Sequence, residues 1–423
     1  MLGRLLPRVK GRLEKSRPYI LVRDVKWAIQ QSLERQHEPT VVSLTPDRPI
    51  QGNVLLSYKQ AFEGFLLRPG QPTLNTHTNY WYSMQMAKTF LDLGYGVDVI
   101  DCYNDSFLPE KDYSVIVDVR GNLERLAPLL HKECVKIMHI DAAHLLFHNA
   151  AESRRLLELQ QRKGVTLRPR RFEEPNLSIE HADCATTTGN TFTMSTFKYA
   201  NKPIYRLPIA AAVSCPWPEG KDWEACRKHF LWFSSGGLVH KGLDLALDAF
   251  AEMPEYHLTV CGPIDRENDF RQAYYKELYQ MPNIETVGWV DVNSRKFTDI
   301  ANTCCGLIYT SCSEGGGACA VTCLHTGLIP VVSYESSVDV HDFGIMLRSC
   351  SIEDIRASVQ TVAGLPSQEL KRMARRAWEF ARANHTRERF AERYREVIVE
   401  ILTAANKTAA CHPEPSGFAQ DRL

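Results

Sequence analysis

The sequence lacks a run of about 20 apolar residues, which is the length that a membrane-spanning helix needs. The uncharged stretch at residues 315–334 comes nearest. It opens on three glycines and contains a histidine and a proline, a pattern typical of a loop, a helix and a strand. A secretory signal is also missing, because leucines alternate with arginines and lysines at the N-terminus and no long apolar centre follows. These absences exclude a bundle of transmembrane helices and favour a cytoplasmic protein.

The chain also lacks an excess of charge of either sign, since its 423 residues include 50 Lys and Arg against 50 Asp and Glu. This balance excludes a uniformly basic nucleic-acid-binding protein, and we expect no nucleic-acid partner. The 13 cysteines are odd in number and contain no C-x-x-C pair of the kind that zinc sites use. We therefore expect reduced, buried thiols rather than a disulfide framework.

The first 23 residues form a basic segment, with seven Lys and Arg against one acid, Glu14. Its apolar residues fall at helical spacing: Leu2, Leu5, Leu6, Val9 and Leu13. A basic amphipathic helix binds anionic lipid, so we expect peripheral contact with the inner face of the membrane. Two other interpretations stay open, namely an arm that is solvated or packed on a domain, and an Arg-rich transit peptide.

From residue 50 onward, short apolar strands alternate with amphipathic helices. This alternation predicts βαβ units and parallel sheets. The stretch Pro208–Pro218 interrupts a first series, and a second α/β series follows it. The predicted fold class is α/β, with two doubly wound Rossmann-like domains that face a cleft. In such folds the ligand binds at the carboxyl ends of the strands.

The expected domain boundaries follow from these changes in the pattern of strands and helices along the sequence. Residues 387–402 carry an apolar face that includes Phe390 and Tyr394, which predicts a final helix. We expect a basic arm and helix at 1–49, a first domain at 50–212, a second domain at 213–385, the final helix at 386–403 and a polar tail at 404–423.

Two glycine-rich segments each follow a strand of the second series. Gly236-Gly237 precedes Lys241 at a helix start, where glycine backbone, free N–H groups and a cation together suit a phosphate. The second segment is Ser313-Glu314 followed by Gly315, Gly316 and Gly317. Its N–H groups suit an anion, and Glu314 can accept hydrogen bonds from sugar hydroxyls. Either segment alone could be an ordinary turn, but both lie at strand ends of one sheet.

Because it carries these two segments, the C-terminal half resembles the nucleotide-sugar half of family 4 glycosyltransferases with the GT-B fold. The matching strings occur in the order of the family, at 236–247, 258–263, 283–290, 313–317 and 327–333. The helix at 387–402 is similar to the helix that crosses back to the first domain in this fold.

The resemblance implies a retaining transfer of a sugar from a nucleotide-diphosphate donor, which is a co-substrate, with no cofactor and no obligatory metal. The sequence is consistent with this, since it contains no Asp-x-Asp to hold a divalent cation on a diphosphate. Lys241 would stabilise the leaving diphosphate, and Glu314 would contact the donor sugar. The residues implied for donor binding are Gly236, Gly237, Lys241, Gly288, Val290, Glu314, Gly315, Gly316, Gly317 and Thr322.

Two positions depart from the family pattern. An arginine usually stands where this chain has Gly237, and a second glutamate, which holds the ribose, usually stands where it has Thr322. A lost guanidinium removes a charge-assisted phosphate contact worth about 1.5–3 kcal/mol. Three outcomes are open: another residue supplies these contacts, the donor differs, or activity is lost.

The N-terminal half resembles the acceptor domain more loosely. Members of the family often place a histidine after the strand that matches Val135–Ile140, pointing towards the donor sugar. Either His144 or His139 could be this histidine, and we assign His144 to catalysis. The alternative for each is a structural histidine that bonds a loop carbonyl. A zinc site formed by these histidines with Asp141 and His148 is conceivable, although the spacing matches no common zinc pattern.

His77 and Trp81 are further candidates for the acceptor side, because aromatic faces suit stacking on sugars; Trp81 could equally lie in the core. The sequence predicts a hexosyltransferase that acts on a glycan or lipid-linked acceptor in polysaccharide or glycoconjugate assembly. Two alternatives are a catalytically silent protein that binds sugar nucleotides or a partner, and an epimerase or phosphorylase on the same architecture.

Overall fold

The computed structural model describes residues 41–59 and 78–411, with side chains described up to residue 407. The basic arm, His77 and the residues after 411 lie outside this part of the chain. The described strands, in chain order, are β1 (Val42–Leu44), β2 (Asn53–Tyr58), β3 (Gly96–Asp101), β4 (Val115–Asp118), β5 (Val135–Ile140), β6 (Cys184–Thr187), β7 (Ile204–Arg206), β8 (His229–Phe233), β9 (His257–Cys261), β10 (Ile284–Gly288), β11 (Gly306–Tyr309), β12 (Ile329–Val332) and β13 (Ile345–Met346).

Helices fill most of the connections between these strands. The described α-helices are α1 (Thr78–Asp92), α2 (Asn122–Leu126), α3 (Leu145–Lys163), α4 (Ser178–His181), α5 (Thr191–Thr196), α6 (Trp223–Cys226), α7 (Leu243–Ala251), α8 (Asn268–Ala273), α9 (Tyr275–Gln280), α10 (Arg295–Thr303), α11 (Ala318–Leu324), α12 (Ile352–Gly364), α13 (Ser367–Asn384) and α14 (Arg387–Cys411). None of them combines the length and the apolarity that crossing a membrane requires.

The strands form two sheets. The first has seven strands in the order β1-β3-β2-β4-β5-β6-β7, and the second has six in the order β10-β9-β8-β11-β12-β13. Neighbouring strands from β2 to β7 and from β8 to β13 pair in parallel. In the first sheet the chain adds β3 on one side of β2 and then β4 on the other side. The second sheet does the same with β9 and β11 on the two sides of β8. Each sheet therefore has a switch point, which is where ligands bind in such folds. The α/β doubly wound prediction is confirmed.

The second sheet is buried on both faces, as a parallel sheet covered by helices must be. Phe230 and Trp232 of β8 face the cluster that includes Leu247 of α7 and Val359 of α12. The alternate residues of that strand face the opposite cluster, with Phe297 of α10. The sheet therefore holds the ends of β8 and β11 rigidly side by side.

The C-terminal helix returns to the first sheet's side of the molecule. Phe390 of α14 packs on Tyr82 of α1 with ring centroids 4.7 Å apart, and Tyr394 packs on Phe90 at 6.4 Å. This confirms the predicted crossing helix. Its end was predicted at residue 402, but α14 continues to Cys411, so the first residues of the expected polar tail are helical.

Several elements were absent from the sequence-based prediction. Strands β1, β7 and β13 have only two or three residues, too few for an alternating pattern to stand out. Helix α3 has a stronger reason to be missed, because much of its length is polar and two of its four buried side chains are charged, Glu152 and Arg155. An apolar stripe could not reveal it.

Candidate functional site

The two glycine-rich segments meet at the switch point of the second sheet. Strands β8 and β11 are adjacent, with Gly306 opposite Phe230 and Leu307 opposite Leu231. Their carboxyl ends therefore open into neighbouring loops, one leading to Lys241 and the other to Glu314. The sequence-based expectation that the segments lie at one edge of a sheet is correct.

Lys241 is held by bonds of its own backbone. Its N–H donates to the Gly237 carbonyl at 2.8 Å, and its carbonyl accepts from the indole N–H of Trp232 at 3.3 Å. Gly242 follows with φ +73°, and a Cβ there would lie 2.1 Å from Thr310 Oγ1, so only glycine fits this close turn. The turn fixes the direction in which the Lys241 side chain leaves the loop.

Lys241 and Glu314 form a buried ion pair, with Lys241 Nζ against Glu314 Oε1. The same oxygen accepts from Ser311 Oγ at 2.6 Å and from Tyr309 OH at 2.8 Å. The two charged residues are 3% and 8% exposed. Burial alone would raise the pKa of Glu314, but the charge of Lys241 and the hydrogen bonds outweigh it and lower the pKa to about 2. Glu314 is thus an anion at every physiological pH.

The low pKa of Glu314 predicts a specific acid sensitivity. A carboxyl with its pKa lowered from 4.5 to about 2 stabilises the fold fully above pH 4.5, and that contribution is lost as the pH falls towards 2. We expect the free energy of unfolding to fall less steeply over this window in Glu314→Gln than in the wild type. Urea unfolding at a series of pH values measures both slopes, and parallel slopes would contradict the assignment.

The Gly236-Gly237 loop does not offer all its N–H groups to a ligand. The N–H groups of Gly237 and Leu238 donate to the carboxylate of Glu267, at 2.5 and 3.2 Å. Glu267 is buried, and burial raises its pKa although these N–H groups act in the opposite direction. The sequence did not indicate Glu267, which is thirty residues away and carries no motif. A phosphate at these groups would have to displace its carboxylate.

The three glycines after Glu314 are explained by close backbone contacts. A Cβ on Gly315 would lie 2.1 Å from the Asp141 carbonyl carbon, and Gly316 has φ +140°. A Cβ on Gly317 would lie 2.3 Å from Val338. Thr188 Oγ1 also donates to the Gly315 carbonyl at 3.1 Å. The segment is therefore packed against loops that follow β5 and β6 of the first sheet.

The remaining donor-side candidates have varied surroundings. Gly288 ends β10 at φ +84°, with open space where a Cβ would stand. Val290 is buried in the core cluster around Phe297. Thr322 lies within α11, and its hydroxyl donates to the Ala318 carbonyl one turn earlier at 2.9 Å. Of the three, only Gly288 borders open space.

The histidines of the first half occupy different positions. His139 is buried at the end of β5, with Nδ1 2.9 Å from Thr186 Oγ1, and burial lowers its pKa to about 4. His144 caps α3, where Nδ1 accepts from the Leu146 N–H at 3.4 Å and Nε2 lies 2.9 Å from Tyr199 OH. Burial lowers the pKa of His144 as well. Both rings are thus held by first-half residues.

Trp81 lies against the C-terminal helix. Its ring centroid is 5.5 Å from that of Phe390, and the Arg387 guanidinium stands 5.3 Å from the Trp81 ring. Trp81 is only half-buried there, and its assignment to the acceptor side stays a prediction.

A charged pocket lies at the switch point of the first sheet. Asp141 accepts from Arg120 at 2.5 Å and from Lys59 at 2.7 Å, and Arg120 also pairs with Glu173 at 2.9 Å. Burial would raise the pKa of Asp141, but the two cations hold it well below its usual range. His144 lines the same pocket. Arg120 and Lys59 were missed because their position after β4 and β2 has meaning only once the strand order is known.

The conceivable zinc site of His139, Asp141, His144 and His148 is not formed. His148 points away from the other two histidines and towards the second half, with Nδ1 3.0 Å from Ser313 Oγ. Among the described residues, the side chains close enough together to hold a metal are His148, Glu152 and His240.

No family model matches the sequence, and no curated protein matches it. The structure is similar to sucrose-phosphate synthase from Thermosynechococcus elongatus, with TM-score 0.59 and 12% identity over 84% of this chain and 100% of that one. It is also similar to Anabaena HepE in complex with UDP-glucose, with TM-score 0.51 and 13% identity over 84% and 100%.

The pneumococcal O-GlcNAc transferase GtfA, in complex with UDP and GlcNAc, gives TM-score 0.47 and 13% identity over 68% of this chain. This chain spans 57% of the length of GtfA. Taken with the two switch points, the likeness to the synthase and to HepE shows the fold, two Rossmann-like domains of the GT-B type.

Proposed function

We propose that the protein is a retaining glycosyltransferase that moves a sugar from a nucleotide-diphosphate donor to a glycan or lipid-linked acceptor. The observation that carries this proposal is the buried pair of Lys241 and Glu314 at the switch point of the second sheet. A cation and a permanently ionised carboxylate, placed together where such a fold binds its ligand, suit a diphosphate and the hydroxyls of its sugar.

The chemistry assigned to the pair follows from its charges. When a donor binds, Lys241 separates from Glu314 and pairs with the diphosphate instead. Glu314 is then free to accept hydrogen bonds from the donor sugar. As the anomeric C–O bond breaks, its electron pair stays on the diphosphate, where Lys241 stabilises the growing negative charge. The acceptor hydroxyl oxygen forms the new bond to the anomeric carbon on the face that the diphosphate leaves, and its proton passes to the leaving diphosphate. This scheme needs no divalent cation on the diphosphate.

Arg171 is our candidate for the guanidinium that the family pattern places at position 237. A Cβ on Gly237 would lie 2.5 Å from Arg171 Cγ, so the arginine stem fills the space beside this glycine. The backbone of Arg171 is fixed as well, since its N–H donates to Glu152 at 3.0 Å and its carbonyl lies 2.6 Å from His148 Nε2. A cation from the first half would thus replace one lost from the second.

We expect Arg171→Ala to weaken binding of UDP by about 10-fold or more, because a charge-assisted contact contributes about 1.5–3 kcal/mol. Isothermal titration with UDP measures the change. Arg154→Ala is the matched control, since Arg154 is an exposed arginine of α3. Equal affinities of the two variants would remove Arg171 from the donor site.

The direct test of the function is a screen of nucleotide sugars for thermal stabilisation of the full chain, followed by assays of product. UDP-glucose comes first, because HepE was solved with it. Transfer that requires an acceptor supports the proposal, and conversion of the donor without an acceptor indicates an epimerase instead. Absence of stabilisation by every nucleotide sugar would overturn the proposal.

A catalytically silent protein is the second candidate, and Glu267 is the observation that favours it. Its carboxylate takes the N–H groups that would hold a phosphate, and Thr322 keeps its hydroxyl within its own helix. Glu267→Gln separates the two candidates, because the amide oxygen can still accept from the loop while the negative charge is gone. Nucleotide binding that appears only in this variant would favour the silent protein.

A lipid-linked acceptor would give the basic arm a use, since the arm would hold the enzyme in the plane of its substrate. Basic residues near an anionic surface contribute about 1 kcal/mol each. We expect the full chain to sediment with phosphatidylserine vesicles at low salt, and a chain without residues 1–23 to stay in solution. Equal sedimentation of both would remove the membrane contact from the proposal.

A further inference from the structure

A buried cluster of His148, Glu152 and His240 lies beside the candidate site, and the proposed transfer uses only its hydrogen bonds to the Arg171 backbone. His148 and Glu152 stand one turn apart on α3, and His240 comes from the loop after β8. The three residues are at most 2% exposed, and one ligand atom from each lies within 4.8 Å of the others. Buried groups of this type require partners that compensate for the loss of water.

Backbone carbonyls determine which nitrogen of each neutral imidazole carries the proton. His240 Nε2 lies 2.7 Å from the Ser313 carbonyl, and His148 Nε2 lies 2.6 Å from the Arg171 carbonyl. A carbonyl only accepts, so each Nε2 must carry the proton. In the neutral rings both Nδ1 atoms therefore present lone pairs, that of His148 towards the Ser313 hydroxyl at 3.0 Å and that of His240 towards the Cys312 sulfur at 3.5 Å. A histidine that ligates a metal is usually oriented in this way, with its other N–H donated to a carbonyl.

The Nδ1 lone pair of His240 also faces a carboxylate oxygen. Its Nδ1 lies 3.7 Å from Glu152 Oε2. The Glu152 carboxylate also accepts hydrogen bonds from the Arg170 N–H at 2.7 Å and from the Arg171 N–H at 3.0 Å. A lone pair and a carboxylate oxygen that face each other repel, unless a proton or a metal cation lies between them.

We propose that His148 Nδ1, Glu152 and His240 Nδ1 bind a Zn²⁺ ion. Two imidazoles and one carboxylate form a ligand set that zinc accepts, and they leave a fourth tetrahedral position. Zinc–ligand bonds of about 2.0–2.1 Å place the ligand atoms about 3.3 Å apart, so the cluster must contract by about 1.5 Å or less. Cys312, whose sulfur is 3.5 Å from His240 Nδ1, and Ser313 Oγ border the cluster.

The ion would join the two halves of the fold. It would tie α3 to the loop that ends in Lys241, the residue that follows His240. The proposed zinc does not touch the diphosphate and takes no part in transfer, so it does not depend on the proposed function.

The test titrates Zn²⁺ into the chelator-treated full chain against a chromophoric competitor. We expect one equivalent to bind and the melting temperature to rise. In His148→Gln and in Glu152→Gln the zinc affinity should fall at least about 100-fold, since even residues that only orient a ligand contribute 10–100-fold. Circular dichroism without metal verifies that the variants are folded; in Glu152→Gln the amide oxygen can still accept from the Arg170 N–H.

His325→Gln is the matched control. His325 is also buried, its Nε2 also lies near a backbone carbonyl, that of His385 at 2.9 Å, and its Nδ1 has no hydrogen-bond partner. We expect its zinc affinity to equal that of the wild type. X-ray absorption at the zinc edge of the wild type needs no variant, and it should show two imidazoles. Absence of stoichiometric binding, equal affinity in a folded His148→Gln/Glu152→Gln variant, or a spectrum without imidazole would overturn the proposal.

Discussion

A Lys241→Met variant is expected to lose at least about 100-fold in kcat/KM for transfer, because methionine keeps much of the apolar stem and removes the cation from the leaving diphosphate. The variant should also be less stable. Removal of one partner from a buried ion pair leaves the other charge without compensation, which costs about 3–5 kcal/mol. Steady-state kinetics and urea unfolding measure the two losses separately.

The double variant Lys241→Met/Glu314→Gln distinguishes catalysis from stability. With both charges gone, no uncompensated charge remains buried, and most of the lost stability should return. Transfer should stay low, because the diphosphate still lacks its cation. Recovery of activity along with stability would show that Lys241 serves the fold alone. Wild-type kinetics in the single variant would remove Lys241 from the donor site.

The second large effect is expected from Gly315→Ala. The new Cβ would lie 2.1 Å from the carbonyl carbon of Asp141 and 2.3 Å from the Ala142 nitrogen, and neither backbone atom can rotate away. The loop that carries Glu314 must then move off the first-half loop. Because a shift of about 1 Å at a reacting centre can cost about 100-fold, we expect a loss of that size in kcat/KM.

Gly364→Ala is the matched control for this variant. Gly364 is the last residue of α12, and no atom lies within 4 Å of the place where its Cβ would stand. We expect its activity to equal that of the wild type and its stability to change by about 1 kcal/mol or less. If Gly315→Ala behaves in the same way, the contact between the two loops has no role in transfer.

The sequence predicted that the Lys241 and Glu314 segments lie at one edge of a sheet, because both follow strands of the second α/β series. Their ion pair was not predicted, because it depends on the strand order that places β8 beside β11. The hydrogen bond from the Gly237 N–H group to Glu267 could not be predicted, because it depends on the path of a loop that no sequence periodicity specifies. The sequence also did not specify which side chains of α3 face the second half. The assignment of His144 to catalysis stays a prediction; that ring caps α3, and His148, one turn later, contacts Ser313 of the second half.

The position of α14 imposes an order on folding during synthesis. Tyr82 and Phe90 of α1 are covered by Phe390 and Tyr394, which leave the ribosome some three hundred residues later. At about 5–20 residues per second, helix α1 would spend at least about 15 s with this aromatic face uncovered. During that interval the nascent chain exposes a surface suited to a chaperone or to another nascent chain. Ribosome-bound intermediates arrested before residue 387 should therefore aggregate more readily than the released protein.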